Sequence, residues 1–548
     1  MLKITPLGGL GEIGLNLMVF EYGETLFIVD AGLMFPEDYM LGVDIVIPDI
    51  SYLKEKKVVS GIILTHSHED HIGALPYLLK KIKAPVFGTP YTLGIVQHKL
   101  EEHFTLSSTD LHEINPGSML KIGPFELEFI SVSHSTVDGV GIAIQTPIGC
   151  IIHTGDFKIN HNSTDGIVTD VNKFAMYGEK GVLALLSDST NVEKEGYTIS
   201  DQDVGETLEK IISKSQGRVI VALFASNVSR IQQIIDIAAK KGKKIIFNGR
   251  SIEFTIQIAK EHGHINIPEG IEIRLNQINT YPNNEIILVT TGSQGEPMSA
   301  LARIATGSHK YIKIEKKDTF VLSSKFIPGN EKAITNIINT LYRHGADVIY
   351  ENISDIHVSG HAFQEELKLM IKLTKPKFFI PIHGEYRHLV HHARLAEQVG
   401  ISKDRIIIAE NGQIIEFDKN GGKLSGSVPT GRVFVDGKGI GDVGRSVISE
   451  RRILSEYGLV IVNIAFDEET GVVIHGPEII SRGFVFLTET GHLLEEAQCV
   501  VLDIIEEVGF DTPGRIDIIR AKLQKALKQF FNFAIKRRPI IIPVIIEV

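Results

Sequence analysis

The six residues His66-Ser-His68-Glu-Asp70-His71 constrain this chain more than any other stretch. Three imidazoles and a carboxylate crowd together at the end of the apolar run Gly61–Thr65, which reads as a strand. Neutral imidazole and carboxylate suit zinc, and each ion needs at least three protein ligands. Residues two apart on an extended turn can face one ion, while the adjacent pair Asp70 and His71 can reach a second on the other side. The bland alternative is a polar surface turn, with Asp70 capping the helical pattern Ile72–Lys80. That alternative leaves the clustered imidazoles without a use. Further ligands must come from elsewhere, and His134 and the segment His153 to Asp156 stand at the ends of apolar strand patterns. Taken singly, each reads as a hydrogen-bonded surface group; beside the His66 cluster they read as ligands. Asp30, just before Ala31 and Gly32, is either a turn residue or a group that orients a ligand imidazole.

Composition narrows the chemistry. The only cysteines, Cys150 and Cys499, lie far apart, which excludes a disulfide framework and a zinc finger. Any metal must be held by His, Asp and Glu, and the scarcity of thiols fits a reducing cytoplasm. A net charge of −11, from 56 basic and 67 acidic residues, argues against nucleic-acid binding through a bulk cationic surface. It leaves room for a local basic groove, or for phosphate capture by metals and backbone amides. Gly9, Gly11 and Gly14 match the spacing of a dinucleotide fingerprint, which must open a helix. Here the next segment, Leu17–Phe20, is a strand leading into a hairpin, so the glycines read as a close backbone approach near the metal ligands. The N-terminus lacks the pattern of a signal peptide, and the apolar run Ile540–Val548 is too short to cross a bilayer, so a cytosolic protein without a membrane partner is expected.

At roughly 100–200 residues per domain, 548 residues suggest about three domains. Residues 1–200 alternate short strands with Gly-rich turns, as in a sandwich flanked by helices. Residues 201–376 alternate strand and helix, which indicates a parallel sheet. Residues 377–422 return to the first domain. Residues 423–449 read as a Gly- and Ser-rich linker, and residues 450–548 as a small α+β domain.

The order Asp30, His66-x-His68-x-Asp70-His71, His134, Asp156 and a later histidine resembles the metallo-β-lactamase superfamily. That resemblance implies an α/β fold, an αββα sandwich with metals at one edge. His66, His68 and His134 would hold one zinc, Asp70, His71 and the later histidine a second, and Asp156 would bridge them. Asp188 in LLSDST, the run His357-Val358-Ser359-Gly360-His361 and His383 in IPIHGE match three motifs of the β-CASP branch, with the 201–376 module as its insertion. Without the resemblance, each of these three reads equally well as structural. With it, His383 becomes the missing ligand and RNA the implied substrate.

The chain is similar to ribonuclease J along essentially its whole length, through stretches such as PLGGLGEIG, THSHEDHIGALPYLL, FASNVSRIQQ, HVSGHAFQEELKLM and KPKFFIPIHGEYRHL. The family implies a two-zinc enzyme, with Mn2+ or Mg2+ able to serve. It implies 5′→3′ exonuclease activity on single-stranded RNA with a 5′-monophosphate, endonuclease activity, and roles in mRNA decay and rRNA processing. Ser226, Asn227 and Val228 with His357 through His361 would cradle the 5′-phosphate, and Asp188 and His361 would manage protons. A structural calcium would match the Gly42 carbonyl, Asp44 and Asp436. The C-terminal domain would support a homodimer or homotetramer, or an assembly with a paralogue. Ser67, where many relatives carry glycine, is expected to point away from the ions. Two rivals differ in kind: a hydrolase of the same fold acting on DNA, a thioester or a lactam, and a scaffolding subunit, for which a broken ligand set is expected. The ligand set here is intact.

Overall fold

The computed structural model describes the chain apart from residues 55–57, 160–167, 297, 327–329, 352–355, 357, 438, 486–490 and 510–511. It divides into two units, Met1–Phe35 with Val46–Val433, and Pro36–Ile45 with Phe434–Val548.

In the larger unit, strands with alternating apolar residues form two facing sheets. One has eight strands, running from the edge strand Gly422–Ser427 through Gln413–Phe417, Leu2–Gly8, Leu17–Tyr22, Thr25–Val29, Ile62–Ile63 and Val86–Gly88 to Leu111–Glu113. The other has six, in the order Phe378–Ile382, Val182–Asp188, Gly149–His153, Val140–Thr146, Phe125–Ser131 and Met119–Ile122. Their inner faces share one core, where Phe20 stacks on Phe27 and Phe27 meets Phe125 edge-on at 4.9 Å between ring centroids. The outer faces are covered by helices. Leu75–Leu79 and Pro90–Glu102 pack on the first sheet, and Val171–Lys180, Gln364–Thr374 and Tyr386–Gln398 on the second. The expected αββα layering is therefore present.

The inserted module is a five-stranded sheet, all parallel, in the order Lys244–Asn248, Ile286–Thr290, Val219–Ala222, Thr319–Leu322 and Asp347–Ile349. Helices cover both faces, so Val219 to Ala222 are buried without a polar alternate. Asp201–Lys214 begins on a Ser200 cap and Val228–Lys240 on an Asn227 cap.

Two local readings differ from the sequence expectation. The pattern Ile72–Lys80 is two short helices, Glu69–Ile72 and Leu75–Leu79, the second opened by Pro76 near its start. The stretch expected as linker contains strand Gly422–Ser427 and the hairpin of Arg432–Asp436 with Gly439–Ile440. Its Gly, Ser and Lys content belongs to an exposed sheet edge, where no core enforces apolar alternation.

The smaller unit packs helices Gly491–Glu507 and Arg515–Ile535 on one face of a three-stranded sheet. Leu459–Phe466 is central, antiparallel to Val473–Arg482 and parallel to Ile540–Glu547. Val460, Val462, Ile464 and Phe466 point into the core. Ile542, Val544 and Ile546 alternate with the inward positions of the last strand and are exposed.

Candidate metal centre

Strand ends at one edge of the sandwich deliver the site. Asp30 follows Thr25–Val29, His66 follows Ile62–Ile63, Asp156 follows Gly149–His153, and His383 follows Phe378–Ile382. Because Gly149–His153, Val182–Asp188 and Phe378–Ile382 run parallel in register, their C-terminal ends share one edge, which joins His383 to ligands far away in sequence.

Two groups of ligand atoms converge. His68 Nδ1 lies 3.1 Å from both His66 Nε2 and His134 Nε2. Beside them, His71 Nε2 lies 3.3 Å from His383 Nε2 and 3.6 Å from an Asp70 oxygen, and His383 Nε2 is 3.3 Å from that oxygen. Asp156 Oδ2 joins the groups, at 3.7 Å from His66 and 3.8 Å from His134 on one side and 3.2 Å from His71 and 3.6 Å from His383 on the other. Ligands on a tetrahedral zinc with bonds of about 2.0–2.1 Å stand about 3.3 Å apart, so these spacings fit two adjacent ions. All seven sequence-expected ligands are brought together.

Electrostatics agree with a dicationic occupant. Burial, joined by neighbouring imidazoles, holds His66 and His134 well below the usual histidine value, and burial brings His68 down to about 4. These rings are neutral and able to ligate. Burial would also lower His71 and His383, but the carboxylates of Asp156, Asp70 and their neighbours outweigh it, raising His71 well above the usual range and His383 to about 9. Carboxylates gathered this deep demand positive charge, which protons or divalent metal can supply.

The groups behind the ligands were mostly not foreseen. Asp30 Oδ2 bonds His71 Nδ1 at 2.7 Å, the contact an orienting group would make. Thr65 donates its backbone N–H to Asp30 Oδ1, and its hydroxyl touches both Asp30 and His66 Nδ1. Thr190 Oγ1 meets His383 Nδ1 at 2.7 Å, and the Gly360 carbonyl accepts from His134 Nδ1 at 2.7 Å. With their Nδ1 atoms so engaged, these rings have Nε2 left to hold a metal. Asn16 Nδ2 bonds the Asp70 carbonyl, and Gly9, at φ +88°, leaves room for it: a Cβ there would lie 2.3 Å from Asn16 Oδ1. Gly14 also makes a close approach, where a Cβ would lie 3.0 Å from the Leu33 carbonyl oxygen, whereas at Gly11 a Cβ would meet nothing within 4 Å, so the expectation holds for two of the three glycines. Ser67 turns away from the ligands, its hydroxyl 2.9 Å from that of Thr136.

Asp188 and His361 form a pair at the rim. Asp188 Oδ2 bonds His361 Nδ1 at 2.7 Å, while Oδ1 accepts from the Thr190 N–H and hydroxyl. Burial opposes a charge on His361, but Asp188 and Asp156 raise it above the ordinary value. Its Nε2 has no hydrogen-bond partner among the described residues. Of the expected phosphate loop, Asn227 caps its helix through Oδ1, Val228 is buried, Val358 is buried, and the Ser359 hydroxyl accepts from Asn191 Nδ2. His357 lies outside the described residues. In the smaller unit, Asp44 Oδ2 accepts from the Gly437 N–H, while Asp436 Oδ2 is 2.6 Å from Arg451, whose other nitrogen bonds the Leu41 carbonyl. The Arg451 guanidinium therefore lies beside Gly42, Asp44 and Asp436.

Comparison with known proteins decides the family. Residues 11–216 match the metallo-beta-lactamase superfamily, 216–341 the ribonuclease J beta-CASP domain, 345–407 the Zn-dependent metallo-hydrolase RNA specificity domain, and 446–548 the ribonuclease J C-terminal domain. Ribonuclease J2 of Bacillus subtilis (strain 168) is 42% identical over 547 residues, covering 100% of this chain and 98% of its own. The chain belongs to the ribonuclease J family. Ribonuclease J 1 of Streptococcus pyogenes is likewise 42% identical, over 99% of this chain and 97% of its own. A protein of unknown function from Enterococcus faecalis V583 shares the fold, with a TM-score of 0.53 at 16% identity over 76% of this chain and 99% of that one. Membership of ribonuclease J makes this chain a hydrolase of the metallo-β-lactamase and β-CASP type, a metal-dependent ribonuclease with RNA as its partner. Among the described residues, no helix is long and apolar enough to cross a membrane.

Proposed function

We propose that this chain is a two-zinc ribonuclease that removes nucleotides in the 5′→3′ direction from single-stranded RNA bearing a 5′-monophosphate, and that also cuts internally. The observation that carries this reading is a pair of ligand groups sharing Asp156, with the His361–Asp188 pair beside them. The chemistry two bound ions would supply is Lewis-acid activation of a water molecule and neutralisation of charge on the phosphoryl oxygens. Asp70, His71, His383 and Asp156 would hold one ion, and His66, His68, His134 and Asp156 the other. Mn2+ or Mg2+ is an alternative in the same ligand set.

The protein's own residues handle the proton. Asp188 favours the protonated form of His361 and fixes its ring through Nδ1, which makes Nε2–H the donor in this reading to the leaving 3′-oxygen. Water adds across the P–O3′ bond, so the products are a nucleoside 5′-monophosphate and an RNA with a new 5′-phosphate. That end fits the same loop again, formed by Ser226, Asn227 and Val228 with 357–361, which favours repeated removal and roles in mRNA decay and rRNA processing. A triphosphate brings more charge and bulk than such a loop neutralises. The protein would work in the cytoplasm as a homodimer or homotetramer joined through the C-terminal domain, or with a paralogue. A calcium at Gly42, Asp44 and Asp436 belongs to this reading with Arg451 displaced from Asp436.

The test mixes the metal-replete full chain with one single-stranded RNA carrying a 5′-monophosphate or a 5′-triphosphate, with His68→Ala as control. Mononucleotides released from the monophosphate form, and lost in the variant, support the reading. Internal cuts alone, equal on both substrates, remove the 5′-phosphate loop from it. Absence of cleavage with zinc or manganese overturns it.

A further inference from the structure

A chain of charges, buried at Lys158 and Arg230 and partly exposed at Asp201, runs between the loop after Asp156 and the helix that carries the proposed phosphate loop. Lys158, two residues beyond Asp156 and buried, extends its ammonium to Asp201 Oδ2 at 2.6 Å. Asp201 is the first residue of helix Asp201–Lys214, and its other oxygen faces the Arg230 guanidinium at 3.5 Å. Arg230 lies in helix Val228–Lys240, where its backbone N–H caps onto Asn227 Oδ1 at 3.1 Å. Gln233, one turn further on, donates to the Asp201 carbonyl at 3.0 Å. Asp156 and Asn227 are thus linked through three side chains.

Packing alone does not account for these charges. Arg230 is among the largest fully buried side chains, and its Nη1 has no hydrogen-bond partner. Burial brings its guanidinium down to about 10, against the partial support of Asp201. An apolar residue of similar length would fill the space without that cost, since buried ion pairs rarely outperform well-packed hydrophobic replacements. What an ion pair supplies and an apolar contact does not is a fixed register between the elements that carry it. The backbone on the metal side is held as well: the Lys158 N–H bonds the Ser133 carbonyl, and the Ile159 N–H bonds the fully buried Glu366. The strut is therefore anchored firmly at Lys158, and Arg230 is where it can set position.

We propose that Asp201 is a positioning residue: by holding Lys158 and Arg230 together, it fixes the separation of Asn227 from Asp156 and so places the scissile phosphodiester over the metals when a 5′-phosphate occupies the loop. This inference rests on the 5′-phosphate reading above. It requires that loosening the strut lower the advantage of a 5′-monophosphate while leaving the metal centre intact.

The test measures single-turnover cleavage of one single-stranded RNA with a 5′-monophosphate or a 5′-hydroxyl, using the full zinc-loaded chain as wild type, Asp201→Asn, Asp201→Glu and Arg230→Gln. Zinc bound per chain is determined for each. The expected result is a monophosphate-to-hydroxyl rate ratio at least fivefold lower in Asp201→Asn and Arg230→Gln. Zinc content and hydroxyl-RNA cleavage stay within twofold of wild type, and Asp201→Glu restores part of the ratio. Arg230→Gln leaves the Lys158–Asp201 pair in place and serves if Asp201→Asn does not fold. A wild-type ratio near one overturns both the phosphate reading and the strut. A wild-type preference that survives in both variants overturns the strut alone. A parallel fall in zinc content and in cleavage of both RNAs also overturns it, because the network is then merely structural.

Discussion

Asp30 and His383 both sit in the left-handed backbone region, at φ +63° and +53°, where residues with a Cβ are uncommon. Such strain gathers where surrounding structure fixes a functional side chain. Both side chains are pinned: Asp30 by Thr65 and His71, His383 by Thr190. Replacing Asp30 by Ala frees His71 Nδ1, so affinity for the ion at His71 is expected to fall by roughly 10–100-fold. Competition with a chelator measures this, and unchanged affinity would mean that Thr65 alone orients the ring. A second residue governs acid stability. His392 is buried against Phe379, with Nδ1 3.0 Å from the Ser189 hydroxyl, and burial brings it down to about 3. The unfolded chain takes up this proton near the ordinary histidine value whereas the folded chain does not. Stability from this group is therefore complete above pH ~6.5 and is lost as pH falls from there toward 3. In His392→Gln the loss of stability between pH 7 and pH 5 is expected to shrink by about 2 kcal/mol, read from urea denaturation at the two pH values. The ligands from His66 to His71 were legible because their spacing is local. Thr65, Asn16 and Thr190 were not, since a threonine or asparagine gains its role only from what the fold sets against it.

Elements were legible where a core imposes periodicity. Strand Leu17–Tyr22 lies within two residues of the expected Leu17–Phe20, because it is buried along almost its whole length. Strand Gly422–Ser427 was hidden because nearly all of it is exposed, and helix Arg445–Tyr457 because only Ile448 within it is buried. The crossing of Val171–Lys180 with Gln364–Thr374 depends on a residue without periodicity. A Cβ on Gly178 would lie 1.9 Å from the Leu373 carbonyl oxygen, so the two helix backbones touch there. Gly178→Ala must push them apart, and a loss of about 1–3 kcal/mol is expected by urea denaturation. A change within 0.5 kcal/mol would show that the helices part freely.

At the scale of the whole molecule, the smaller unit leaves an apolar patch on one sheet face, beside the polar pair Asn463 and Glu478. Ile542, Val544 and Ile546 stand in a row, beside Ile461 and Ile480 on the neighbouring strands. Exposed apolar surface of this kind marks interaction sites, and its place on the C-terminal domain accords with the self-association proposed above. The double variant Ile542→Asp with Ile546→Asp is expected to reduce the molar mass seen by light scattering while leaving the circular dichroism spectrum unchanged. An unchanged mass would move the assembly contact elsewhere.

His383 has a consequence of a different kind. It completes a metal site whose other ligands lie between His66 and Asp156, yet it follows the whole inserted module in the chain. Its strand can join the sheet only by laying Phe378–Ile382 alongside Val182–Asp188. A ribosome making this protein therefore adds the last ligand, residue 383 of 548, only when about 70% of the sequence has been translated. Until His383 is in place, the cluster of Asp70, His71, Asp156 and His383 lacks one of its four side chains, so the ligand set cannot close on the first part of the chain alone.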